Sequence, residues 1–193
     1  MDDMDAAETL AVLLVEAHDR FVENVEGVSL EEALDPAGGY RSVLGIIKHV
    51  AGWSAVYRSF AFDPEPRHWD EAGWPRGLRD RIDPSRSYLE DVTTWFEETY
   101  ARWLRSLRDA ADVDAPHPVH WGDRLRLADI VVAVSQHWVY HAGEINALLA
   151  VHRGEAWEFT EEVEENHIST VGRRVRPPWM SDEEAARSER GDG

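Results

Sequence analysis

The chain has 193 residues, enough for one domain with a real core, and 43% of them are hydrophobic, nine being tryptophan. Its 38 acidic and 20 basic residues give a formal charge of −18, a field that repels phosphate backbones and anionic membranes. There is no cysteine, so disulfides and thiolate metal sites are excluded, which fits a cytoplasmic protein.

The start, Met1-Asp2-Asp3-Met4-Asp5, lacks the basic region of a signal peptide. The first helix is expected from about Ala6 to Glu26, with Leu10, Leu13, Leu14, Ala17, Phe21 and Val25 on one face and Gly27 as its stop. Gly38-Gly39 reads as a turn, and Ser42 as the N-cap of a second helix running to about Ala61. The connection from Phe62 to Ile82, rich in Pro, Gly and Trp, exceeds ordinary loop length and reads as a functional loop or local excursion. Asp83-Pro84 opens the third helix, with Tyr88, Val92, Trp95, Phe96, Thr99, Trp103 and Leu107 on its apolar face. A second punctuated connection, Ala111 to Arg124, leads into a fourth helix from about Leu127 to His152.

The strongly apolar run Ile130 to Val134 is far too short to span a bilayer. No segment alternates for long, so strands are expected to be minor or absent. Beyond the fourth helix come an acidic run (Glu161, Glu162, Glu164, Glu165), a basic run (Arg173, Arg174, Arg176) and a tail with disordered composition from Ser181. The expected organisation is a four-helix bundle over residues 1–160 and a polar extension over 161–193.

Histidine carries the chemistry. His49 sits on the apolar arc of the second helix with Ile46, Trp53, Val56 and Phe60. On the fourth helix His137 and His141 are one turn apart, on the stripe of Ile130, Val134 and Leu148. Buried imidazoles need partners, and one divalent ion shared by all three supplies them. Three ligands and an open position match a catalytic site, and imidazole suits zinc or nickel. The alternative is three core histidines bonded to carbonyls or carboxylates. A zinc-protease motif is excluded, because Trp138 stands where its glutamate must follow the first histidine.

Glu144, three residues past His141, has three open roles: fourth ligand, general base through bound water, or acceptor for an imidazole N–H. A structural ion pair with Arg58 or another arginine is the competing reading. His117 and His120 lie in a Pro-rich stretch read as a solvated loop, with flanking the site mouth as the other option. His18, His68, His152 and His167 show no convergent spacing.

Taken together, these motifs resemble the DinB/YfiT-like superfamily of metal-dependent enzymes over about residues 6 to 152. The resemblance rests on Gly39-Tyr40-Arg41-Ser42-Val43 before Lys48-His49-Val50, and on Trp121-Gly122-Asp123-Arg124-Leu125-Arg126-Leu127-Ala128-Asp129-Ile130 before His137-x-x-x-His141-Ala142-Gly143-Glu144-Ile145. It implies an all-α, up-down-down-up four-helix bundle whose triad, here His49, His137 and His141, binds zinc, nickel or a similar ion. It also implies a homodimer, a small-molecule substrate and a low-molecular-weight thiol as cosubstrate, since the superfamily includes thiol S-transferases and thiol-dependent isomerases. Two classes of function follow: a metal-dependent hydrolase or thiol transferase with Glu144 in a catalytic role, or a noncatalytic metal-binding or stress-related bundle.

Overall fold

A computed structural model describes residues 6–36, 41–69, 74–75, 78 and 83–154. Its long helices are α1 (Ala6–Val25), α3 (Val43–Phe62), α4 (Arg86–Arg108) and α5 (Leu127–Arg153), with a short α2 (Leu30–Leu34) between the first two. Helix α1 packs chiefly on α5 and α3 chiefly on α4, while α3–α5 and α1–α4 contacts close the ring. This is the expected all-α bundle, with α3 and α5 side by side. No helix among the described residues is long and apolar enough to cross a membrane. The 161–193 extension, His167 and the Gly38-Gly39 turn lie outside the described residues.

Local chemistry sets the ends of the helices. Ser42 caps α3 by accepting the Gly45 N–H at 3.2 Å, and Gly27 at φ 76° follows the end of α1. Helix α4 starts later than expected: Ser85 is its cap, accepting the Tyr88 N–H, so Pro84 stands outside the helix. The side-chain oxygen of serine satisfies an orphan N–H, which proline at the first turn cannot do. Helix α2 has a reciprocal capping box, Ser29 with Glu32, a sequence signal for a helix start that periodicity over only five residues cannot reveal. Every expected core residue of α4 is buried, but Leu13 of α1 is 37% exposed. Leu13 stands ~70° from the centre of the Leu10–Leu14–Ala17–Phe21 stripe, at the edge of the face.

Between α4 and α5 the chain forms a small hairpin, β1 (Pro116–Pro118) paired antiparallel with β2 (Arg124–Arg126), His117 opposite Leu125. Gly122, at φ 96°, completes the turn. The hairpin is tied to the end of α3 by the His117 Nδ1–H, which donates to the Ala61 carbonyl at 2.5 Å. His117 is therefore an anchor, and the solvated-loop reading fails for it.

One serine holds the three helices that matter to the site. Ser54 of α3 is fully buried; its carbonyl accepts the Trp103 Nε1–H from α4 at 3.1 Å. Its hydroxyl accepts the Trp138 Nε1–H from α5 at 2.6 Å and donates to the Val50 carbonyl. A buried indole N–H needs such an acceptor, so Ser54 fixes the register of α3 against α5. Trp138 is thus a core residue, as its rotation off the histidine stripe predicts. Ser54→Ala leaves the indole donor orphaned and is expected to cost ~1–3 kcal/mol of stability, read as a lower urea midpoint. An unchanged midpoint would remove this residue from the account of helix register.

Candidate metal centre

The Ser54–Trp138 bond locks α3 to α5 beside His49 and His137. The His49 Nε2 lies 3.1 Å from the His137 Nε2, and the His141 Nε2 is also 3.1 Å from it. The three ligand atoms lie within 4.8 Å of one another, and they are the one such group among the described residues. Four-coordinate zinc with nitrogen ligands separates neighbouring nitrogens by roughly 3.3 Å, so the spacing fits one shared ion.

Protonation supports the fit. Burial, then the charge of His141 and Arg41, pushes the His49 pKa down to about 4 against an opposing pull from Glu144. The same sequence of causes, with His49 added, takes His137 down to about 3. Both rings are therefore neutral at neutral pH, the state that ligates metal. Imidazole rings pointing nitrogen at nitrogen in this way cannot all satisfy one another, because one shared N–H reaches both neighbours only as a bent, bifurcated bond. A cation facing three lone pairs satisfies all of them at once.

Glu144 completes the arrangement from outside the cluster. Its carboxylate accepts the His141 Nδ1–H at 2.5 Å, and both side chains are largely buried, 12% and 6% exposed. That contact assigns the proton to Nδ1 and leaves the Nε2 lone pair toward the other histidines. Arg58, offered above as an ion-pair partner for Glu144, instead pairs with Asp63 and reaches Ser106.

His49 and His137 lie on the wall of a cleft of about 540 Å³, together with Trp53, Tyr57, His120, Gln136 and Tyr140. His120 thus reaches the site mouth from the hairpin tip, and the solvated-loop reading fails for it too. The signal was the hairpin turn, which places a loop histidine over α3, and three-residue strands with two prolines hide it. His68 stands beside His120, its ring centroid 6.0 Å away, whereas His18 and His152 serve elsewhere. His18 bonds Asp19 and Glu97, and His152 bonds Asp35 at 2.7 Å. A larger cavity of about 740 Å³ between α1 and α4 contains none of the triad, so volume alone misplaces the chemistry.

A crystal structure of a conserved protein from Enterococcus faecalis is similar to this chain, with a TM-score of 0.56 at 17% identity, over 79% of this chain and 99% of that one. At that identity the likeness shows the bundle fold alone. No curated protein matches the chain. The family model described as mycothiol-S-transferase matches residues 9–154, from the first turn of α1 to the glycine that ends α5, with the triad and Glu144 inside it. The chain belongs to this DinB/YfiT-like family, the mycothiol-S-transferases.

Proposed function

We propose that the chain is a metal-dependent thiol S-transferase, joining a small electrophile to the sulfur of a low-molecular-weight thiol. The observation that carries this is the convergence of three imidazole Nε2 atoms, two of the rings standing on the wall of an aromatic cleft. The family match supports the thiol as cosubstrate, with mycothiol the first choice.

His49, His137 and His141 would hold the ion, zinc or nickel by the softness of imidazole. When bound, such an ion lowers the pKa of a thiol or water at its open position. The rest is the work of the chain. Glu144 keeps His141 in the metal-binding tautomer, and the cleft walls confine the electrophile beside the triad. Tyr57 stays protonated, since burial raises its pKa, and so offers a hydrogen bond from the wall. No cysteine competes with the cosubstrate thiol as nucleophile. In the transfer the thiol proton passes to solvent, the S–C bond forms and the bond to the leaving group breaks. The same reading takes the enzyme to be cytoplasmic and homodimeric.

Hydrolysis is the weaker variant, because the family match points to sulfur chemistry. A closed, noncatalytic site is less well supported, because the Glu144 carboxylate bonds the far nitrogen of His141 and does not join the three converging atoms. The test uses untagged protein loaded with Zn²⁺ or Ni²⁺, mycothiol and a panel of electrophiles, with the S-conjugate read by mass spectrometry. Conjugation at least ~10-fold above the uncatalysed rate, lost with dipicolinate and restored by metal, is expected. Loaded protein that conjugates no thiol would remove the transferase reading.

A further inference from the structure

The cleft wall beside the triad is built from rings, and one of them is an imidazole with no hydrogen-bond partner among the described residues. The His120 ring centroid lies 4.7 Å from that of Trp53, 5.2 Å from Tyr57 and 4.7 Å from Trp121. Its Nδ1 is buried without a hydrogen-bond partner, and no described residue bonds its Nε2 either. A buried unpaired N–H is rarer than a buried unpaired lone pair, so the proton belongs on Nε2. Burial, then the neighbouring His68, lowers the pKa of this ring and keeps it neutral.

The wall is backed in depth. Trp53 stacks on Trp69 at 6.1 Å and 13°, and Trp69 stacks on Trp95 at 6.4 Å and 12°. Gly52 makes that stack possible, because a Cβ there would meet the Trp69 ring at 1.9 Å. The stacked indoles preorganise the flat face of Trp53, with the His120 and Tyr57 rings beside it and the His49 ring one helical turn away at 6.4 Å.

We propose that this wall is the subsite for the electrophile, that it takes a flat aromatic electrophile bearing a hydrogen-bond acceptor, and that His120 donates its Nε2–H to that acceptor. The inference rests on the thiol-transferase reading for its chemistry but on the wall alone for binding. With 1-chloro-2,4-dinitrobenzene, the thiol proton leaves to solvent, sulfur forms the S–C bond to the ring, and the C–Cl bond breaks to release chloride. The nitro oxygens are the acceptors.

Two measurements test it on the metal-loaded full chain. The first is calorimetric titration with 1,3-dinitrobenzene, which has the ring and acceptors but no leaving group. Saturable binding to wild type is expected, weakened at least ~5-fold by His120→Ala and by Trp53→Leu. His120→Phe keeps a ring but loses the donor, and is expected to weaken binding as well. Metal content and the helical circular dichroism of each variant establish that it has folded. No binding to wild type, or equal binding by all variants, overturns the subsite whatever the transferase assay shows. Full binding by His120→Phe overturns the donor role of His120. The second measurement compares kcat/KM for chlorodinitrobenzene with that for iodoacetamide, which has no ring. In His120→Ala the loss for the aromatic electrophile is expected to exceed the loss for iodoacetamide by about 10-fold, chiefly through KM. Equal losses overturn the selectivity claim. Saturable dinitrobenzene binding without any thiol transfer leaves the subsite standing and removes the transferase reading.

Discussion

Alanine in place of His49, His137 or His141 is expected to lower divalent-metal affinity at least ~100-fold each, equivalent to ~2.7 kcal/mol, and to reduce transfer to the uncatalysed rate. Purified without a tag or chelator, wild type should carry about one zinc or nickel ion per chain. Elemental analysis and competition with a chelating dye measure both quantities. The expected size follows from geometry. Each imidazole supplies one of three converging nitrogens, 3.1 Å apart across the His49–His137 and His137–His141 contacts, and no carboxylate belongs to that group to take over a lost position. His152→Ala is the matched control, since that ring is paired with Asp35 and stands outside the triad. Wild-type protein that remains metal-free after incubation with Zn²⁺ and Ni²⁺ would end the triad reading, and retention by all three variants would do the same.

The triad was legible in the sequence because helical periodicity is a reliable ruler. His137 and His141 at i and i+4 must share a face, and His49 shares its side of α3 with Trp53, Val56 and Phe60. What periodicity could not supply was the pairing of α3 with α5, which the resemblance implied and which the structure attributes to Ser54 and Trp138. The core of α4 was equally legible, residue by residue, from Tyr88 to Leu107. The hairpin was not. Pro116-His117-Pro118 has no alternation to read, and its pairing to Arg124–Arg126 is set by a turn through Gly122. Its place over α3 depends on tertiary contacts, the bond from His117 to Ala61 and the rings of His117 and His120 against Phe62, Trp53 and Tyr57. His120 accordingly looked like a loop histidine, and its place on the cleft wall is a tertiary fact.

Glu144→Gln is the substitution that separates positioning from packing. Glutamine keeps the size of the side chain and can still accept the His141 Nδ1–H, but it removes the charge that makes the hydrogen bond strong. If Glu144 orients His141 and raises its basicity, metal affinity or turnover is expected to fall ~10–100-fold. The unfolding midpoint of the metal-free protein should remain within ~0.5 kcal/mol of wild type. Glu144→Asp, which retains the charge on a shorter stem, should recover part of the loss. Were turnover to fall with metal content and affinity intact, and the acidic limb of the pH–rate profile to disappear, Glu144 would be the proton acceptor instead. A midpoint that drops in step with affinity would reduce the residue to packing. The 2.5 Å contact favours the first outcome, because the carboxylate already holds the ring nitrogen that faces away from the other two histidines. A group bonded there acts on the reaction through the ligand it orients.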